Sequence, residues 1–121
     1  ERPMVRAKSV VASRRRRKRL LKKAKGFIGD RKNHLRLTSE AVMRAMAFNY
    51  RHRKHNKRNF RRLWITRIAV ATKLHGISYS KFINGLQKAG SQLNRKMLSD
   101  LAIRDPDAFG AVVDLAKKAL I

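Results

Sequence analysis

Residues 31–74 read RKNHLRLTSEAVMRAMAFNYRHRKHNKRNFRRLWITRIAVATKL and contain neither proline nor glycine. The segment from Glu40 to Ala47 is rich in residues of high helix propensity. Because nothing in the stretch breaks a helix, it predicts one long helix from Arg31 to about Leu74. At about 1.5 Å per residue such a helix spans roughly 60 Å, more than the diameter of a domain of this size, so we expect its N-terminal half to protrude.

The chain before this helix is basic and holds few apolar side chains. Six adjacent cationic residues run from Arg14 to Arg19, and good helix formers follow as far as Lys25. Like charges this close repel one another, so we expect the segment to become helical only when phosphate groups neutralise it. The two glycines between Gly26 and Asp30 predict a hinge, and Asp30 is the expected N-cap of the long helix.

Three short amphipathic helices are predicted after the long one. Gly76 ends the long helix, and Ser78 or Ser80 caps the first short helix. Asp105 and Pro106 separate the second from the third, since proline suits a first helical turn. The three apolar faces are formed by Tyr79, Phe82, Ile83 and Leu86; by Leu93, Met97, Leu101 and Ile103; and by Phe109, Val112, Val113, Ala116 and Leu120.

The predicted fold class is therefore all-α, with a long basic N-terminal helical extension and a small globular helical C-terminal domain. We place the extension in residues 1–59, with a hinge near residues 26–30, and the domain in residues 60–121. The end of the long helix, including Phe60 and Ala71, supplies the fourth wall of a small core. The predicted structural core consists of Trp64, Ile68, Phe82, Leu86, Met97, Leu101, Phe109 and Val113.

The charge of the chain is strongly positive and unevenly distributed. Among 121 residues, 32 Lys and Arg oppose 7 Asp and Glu, which gives a formal net charge of +25. Residues 1–62 hold 23 of the cations and 3 of the acids, whereas residues 63–121 hold 9 and 4. A field of this size opposes a compact fold and attracts polyanions, so nucleic acid is the expected partner.

Basic side chains of the extension and of the C-terminal domain are the candidate RNA contacts, because Lys and Arg bind phosphate and sugar groups. The six cations of residues 14–19 point to all sides of a helix and can contact phosphates from several directions. The candidates are Arg6, Lys8, Arg14, Arg15, Arg16, Arg17, Lys18, Arg19, Lys22, Lys23, Lys25, Arg31, Lys32, Arg36, Arg44, Arg51, Arg53, Lys54, Lys57, Arg58, Arg61 and Arg62, and on the rim of the C-terminal domain Lys73, Lys81, Lys88, Arg95 and Lys96.

Aromatic residues among the basic ones have two interpretations. Each could stack on an unpaired base or pack against a neighbouring side chain. Trp64 is expected in the core and not on a binding platform, because a single Trp at helical spacing with other apolar residues usually packs inside. The residues with both interpretations open are Phe27, Phe48, Tyr50 and Phe60.

Several other functions are disfavoured by the residues present. His52 and His55 share one helix face, but no nearby carboxylate or thiolate completes a metal site, so we expect neither a metal nor a cofactor. No Ser-His-Asp arrangement and no Gly-rich phosphate loop is visible, so we expect no enzyme and no small-molecule substrate. With zero cysteines, no disulfide framework is available.

Two further classes of basic protein are weighed against an RNA-binding protein. A DNA-architectural protein remains an alternative, because contacts to a phosphate backbone do not separate DNA from RNA. A cationic membrane-surface protein needs a continuous apolar helix face, which residues 5–25 lack. No apolar run approaches the roughly 20 residues of a membrane span, and no secretory signal is visible, so we expect no membrane partner and no export.

Residues 57–68 read KRNFRRLWITRI, and this segment resembles the signature of the bacterial-type large-subunit ribosomal protein twenty family. The likeness spans almost the whole chain. Further matching segments are MVRAK at residues 4–8, AKGF at residues 24–27, GDRK at residues 29–32, SYSKFINGL at residues 78–86 and LNRKML at residues 93–98. Met4 looks like a natural start, so residues 1–3 are interpreted as an extension that is either upstream natural sequence or an artificial addition. Ala69 stands where the family usually has Asn, a departure expected to loosen one polar contact.

The resemblance implies an extension threaded through large-subunit rRNA, a C-terminal domain on an rRNA junction, and a role in early subunit assembly. It makes neighbouring large-subunit ribosomal proteins further expected partners. In some members of the family the C-terminal domain also represses its own messenger, so the chain's own mRNA is a further candidate partner. The expected location is the cytoplasmic ribosome, with an organellar ribosome as the alternative.

Overall fold

The computed structural model describes residues 3–4 and 8–121. Within these residues the chain forms helices α1 (Val10–Lys23), α2 (Leu35–Leu74), α3 (Tyr79–Lys88), α4 (Arg95–Arg104) and α5 (Pro106–Ala119), a 3-10 turn at Gly29–Lys32, and no strand. The prediction of an all-α fold is confirmed. The backbone groups into a first unit that ends at Arg53 and a second unit from Lys54 to Ile121.

The first unit contains α1, the 3-10 turn and the beginning of α2. Helix α1 has no buried residue. In the described part of this unit the buried side chains are Ala24, Thr38 and Val42, all of them small. The hydroxyl of Thr38 has no hydrogen-bond partner there. The described part of this unit therefore has no core of large apolar side chains, and little hydrophobic stabilisation comes from within it.

The connection into α2 differs from the sequence prediction. Asp30 lies inside the 3-10 turn, where its backbone carbonyl accepts hydrogen bonds from the amides of Asn33 (3.1 Å) and His34 (3.0 Å). Its carboxylate lies 3.6 Å from Nε2 of His34. The prediction that Asp30 is the N-cap of the long helix is wrong, because this extra turn delays the start of α2 to Leu35.

The second unit is built around one hydrophobic core. The end of α2 supplies Ile68, and the rings of Phe82 and Phe109 lie 5.6 Å apart between α3 and α5. Leu101 is half-buried and packs against this cluster. The buried members are Ile68, Ile77, Phe82, Leu86, Leu98, Phe109, Val113 and Ala116. Five residues of the predicted core, Ile68, Phe82, Leu86, Phe109 and Val113, lie in this cluster.

Two residues of the predicted core lie elsewhere. Met97 is 53% exposed, and its neighbour Leu98 is buried in its place. The prediction of Met97 failed because its helical spacing was counted from Leu93. Leu93 precedes the N-cap Asn94 and is therefore not part of α4. Trp64 is half-buried outside the core cluster, since the face of α2 that enters the core begins one turn later.

The ends of the helices follow local signals. Gly76 adopts a φ of 74°, which lets the amide of Ile77 bond the carbonyl of Thr72 (3.1 Å) and end α2. Ser78 caps α3 by accepting from the amide of Lys81 (3.4 Å). Asp105 caps α5 by accepting from the amide of Ala108 (3.2 Å), with Pro106 in the first turn. These residues therefore fix the end of α2 and the starts of α3 and α5.

Helices α3 and α5 approach each other at Gly85. A Cβ atom at this position would lie 2.5 Å from the backbone oxygen of Ala116, and 3.0 Å from its carbonyl carbon and its Cβ. Only a residue without a side chain fits at such a separation. The contact brings α3 close enough for Leu86 to enter the core.

Candidate nucleic-acid interface

The candidate RNA contacts predicted in the extension are exposed wherever the structure describes them. Arg6 lies outside the described residues; from Lys8 to Arg62 every one of the predicted cations is exposed. Helix α1 holds eight Lys and Arg among its 14 residues and no acid. Its cations therefore have no carboxylate within their own helix to neutralise them.

A long acid-free interval crosses both units. Between Glu40 and Asp100 the sequence holds 14 Lys and Arg and no Asp or Glu. The next acid, Asp100, already pairs with Arg104, whose Nε lies 2.9 Å from Oδ1. The field over this interval is positive throughout, which suits a polyanionic partner.

One groove of about 760 Å³, named here the Trp64 groove, gathers predicted contacts in the second unit. Phe60 and Trp64 form part of its wall, with ring centroids 6.2 Å apart and planes inclined by 30°. The amino-terminal end of α4 forms another part. The lining residues are Asn56, Lys57, Arg58, Phe60, Arg61, Trp64, Asn94, Arg95 and Lys96. Five cations and two aromatic rings thus face one space, the combination that RNA-binding surfaces use.

Arg95 is held in position within this groove. Its Nε donates a hydrogen bond of 2.8 Å to the phenolic oxygen of Tyr79, and both side chains are half-buried. Bonding through Nε leaves the two terminal nitrogens of the guanidinium for other acceptors. A guanidinium fixed in this way loses less conformational entropy when it binds a phosphate.

The predicted rim contacts divide into two groups. Arg95 and Lys96 line the Trp64 groove, whereas Lys73, Lys81 and Lys88 are exposed and do not line it. A smaller neighbouring groove adds Arg67 and Arg104 beside Trp64, Asn94 and Lys96.

A second groove, named here the Phe48 groove, lies entirely within the first unit and measures about 750 Å³. It brings Phe27, from the loop after α1, together with Phe48 of α2. Its remaining lining residues are Gly26, Ile28, Arg31, Leu37, Glu40, Ala41, Arg44 and Ala45.

No group of three His, Cys, Asp or Glu side chains in the described part of the chain could hold a metal ion. None of the described helices is both long enough and apolar enough to cross a membrane.

The sequence is similar to those of known proteins over most of its length. The family model described as ribosomal protein L20 matches residues 6–112. The chain belongs to the ribosomal protein L20 family. It is 67% identical over 117 residues to "Large ribosomal subunit protein bL20" of Protochlamydia amoebophila, covering 97% of this chain and 99% of the relative. Identity to the protein of the same name from Chlamydia trachomatis serovar D is 63%, with 97% and 95% covered.

Within this L20-family chain, sequence reasoning missed residues that the fold brings to the grooves. Asn56 and Asn94 line the Trp64 groove, although neither was selected as a contact. Asn94 could have been recognised in the sequence as a helix N-cap, because Asn is a preferred residue at that position. In the structure it caps α4 by accepting a hydrogen bond of 2.9 Å from the amide of Met97. No local pattern in the sequence indicates the role of Tyr79, because its hydrogen bond to Arg95 joins residues 16 apart on two helices.

Proposed function

We propose that this chain is a structural constituent of the large ribosomal subunit that binds large-subunit rRNA directly and supports early subunit assembly. The observation that carries the proposal is the Trp64 groove, where Lys57, Arg58, Arg61, Arg95 and Lys96 line one space with two aromatic rings. Membership in the ribosomal protein L20 family supports the same function. The role is structural and not catalytic, and its place is the ribosome of a bacterial cytoplasm.

The two predicted regions divide this task in our proposal. The C-terminal domain, residues 60–121, supplies a shape-specific grip through its part of the Trp64 groove, whose remaining wall comes from Asn56, Lys57 and Arg58 at the end of the extension. The extension, residues 1–59, bridges rRNA segments that are remote in sequence and screens their mutual repulsion with its cations. Neighbouring large-subunit proteins complete the set of partners. The chain's own messenger is a further proposed ligand of the Trp64 groove, because the same chemistry binds any RNA of matching shape.

Binding of the full chain to large-subunit rRNA fragments across a salt series tests this function. Neutralising even six phosphates lowers the affinity by about a thousandfold between roughly 50 and 200 mM salt. We expect one fragment to be selected over the others and over duplex DNA. Equal competition by duplex DNA would instead favour the DNA-architectural alternative, and a weak salt dependence would contradict the bridging role.

A matched pair of variants locates the grip. Arg61→Gln removes a cation of the Trp64 groove, whereas Lys118→Gln removes an exposed cation near the end of α5 that does not line it. We expect Arg61→Gln to lower the affinity and to reduce the salt slope by about 0.7–0.9. Lys118→Gln is expected to leave the salt slope unchanged. Equal effects of the two variants would argue for a diffuse charge interaction without a defined site.

A further inference from the structure

We propose that the Phe48 groove of the first unit receives one unstacked RNA base, so that the extension contacts RNA through a base as well as through phosphates. The inference rests on the proposed RNA-binding function and adds a site to it. From the sequence alone, Phe27 and Phe48 each had two open interpretations. The structure brings these two residues, 21 positions apart, to the same groove.

The size and lining of the groove suit a flat aromatic ligand. Its volume of about 750 Å³ falls in the range of roughly 300–1,000 Å³ typical of small-molecule sites. Phe48 is 45% exposed and Phe27 is half-buried, so ring surface remains accessible at both. The ring of Phe48 also lies 5.7 Å from that of His52, which supports it from the next turn of α2. Aromatic side chains of this kind stack on bases irrespective of sequence.

The charges around the groove separate the place of the base from that of its phosphates. Arg31 and Arg44 line the groove and are exposed, so they can bind the phosphates on either side of a nucleotide. Glu40 also lines it and is the one acid between Arg31 and Ser99 in the sequence. A carboxylate repels phosphate but accepts hydrogen bonds from the N–H groups of a base edge. The two guanidinium groups therefore favour the backbone phosphates, whereas the carboxylate and the two rings favour the base.

Stacking and charge contacts respond differently to salt, which makes the inference testable in the full chain. Phe48→Leu removes the aromatic face but keeps an apolar side chain with a good helix propensity. We expect its affinity for large-subunit rRNA to fall about five- to 150-fold while the slope of log affinity against log salt stays unchanged. Phe48→Tyr retains the ring and is expected to bind as the parent chain does.

Two further variants serve as controls. Tyr50→Leu changes an aromatic residue of comparable exposure, 57%, two positions along α2 and hence on the opposite side of the helix. It is expected to leave the affinity within about twofold of the parent chain. Arg44→Gln is expected to reduce the salt slope by about 0.7–0.9, because it removes a phosphate contact.

Ultraviolet crosslinking of the unaltered chain to the same rRNA, followed by mass spectrometry of the peptides, gives a readout that needs no variant. A nucleotide attached to the peptide that contains Phe27 or Phe48 is the expected result. Full affinity in Phe48→Leu, or a crosslink confined to other peptides, would overturn the base site and leave rRNA binding intact. A parent chain that fails to bind rRNA at all would instead overturn the proposed function.

Discussion

Replacing Gly85 by alanine tests whether the closeness of α3 and α5 holds the second unit together. The added Cβ would meet the backbone oxygen of Ala116 at 2.5 Å, a distance that must increase by about 0.9 Å to reach the 3.4 Å of ordinary contact. Because the atom belongs to the backbone of a helix, it cannot turn aside. The two helices must separate, and contacts such as that between Phe82 and Phe109 lengthen with them.

The expected loss of stability follows from two opposing effects. Overpacking of this kind costs about 1–3 kcal/mol, and contact with backbone at this distance favours the upper end. In the opposite direction, alanine in place of glycine inside a helix stabilises the folded state by roughly 0.5–1 kcal/mol. We therefore expect Gly85→Ala to lower the free energy of unfolding by about 2 kcal/mol. For a unit of this size that corresponds to a fall in Tm of about 10 °C.

Gly110→Ala on α5 is the matched control. Its Cβ would lie 3.3 Å from Cε1 of His75, an exposed side chain that can move, so we expect a change within about 1 kcal/mol. Urea and thermal unfolding followed by near-ultraviolet circular dichroism report on the aromatic residues of the second unit. Equal midpoints for Gly85→Ala and the parent chain would refute the reasoning, since the close contact would then carry no energetic consequence.

Two smaller predictions concern single polar atoms of the second unit. Ser99→Ala removes a buried hydroxyl without a hydrogen-bond partner and should raise the free energy of unfolding by about 1 kcal/mol. The control Ser80→Ala, at an exposed position, should change this free energy by under about 0.5 kcal/mol. A lower urea midpoint for Ser99→Ala than for the parent chain would show that the hydroxyl has a partner. Tyr79→Phe should weaken rRNA binding several-fold, because it removes the hydroxyl that holds Arg95 in position. The same change should have no further effect in a chain that already carries Arg95→Gln. Additive losses of affinity in this double-mutant cycle would exclude a role of Tyr79 in positioning Arg95.

Sequence patterns predicted those features of the fold that depend on neighbours within one or two helical turns. Phe82 with Leu86, and Phe109 with Val113, recur at helical spacing, and all four are buried. The same rule failed at Met97 because the apolar stripe was extended past the Asn94 cap, where helical phase begins. Gly85 could not be interpreted from the sequence, since its role depends on Ala116, which is 31 residues away on another helix.

The candidate site was predictable in composition but not in arrangement. Charge alone selected Lys57, Arg58 and Arg61, and these do line the Trp64 groove. Their pairing with Asn94 and Arg95 requires the amino-terminal end of α4 to lie across the groove from α2, a long-range arrangement that no local pattern specifies. The bond between Arg95 and Tyr79 is of the same kind.

The unequal burial of the two units predicts different roles for them in the proposed RNA binding. In the second unit, Ile68 packs α2 into the core one turn after Trp64, so the Trp64 groove lies beside a packed core. In the first unit, Ala24 and Val42 are the buried apolar residues among those described, while the eight cations of α1 repel one another. If RNA binds as proposed, we therefore expect neutralisation by phosphate to stabilise the first unit far more than the second. For that reason we expect the ordered grip to form first and the cationic extension to follow, with affinity gained mainly through a slower dissociation rate.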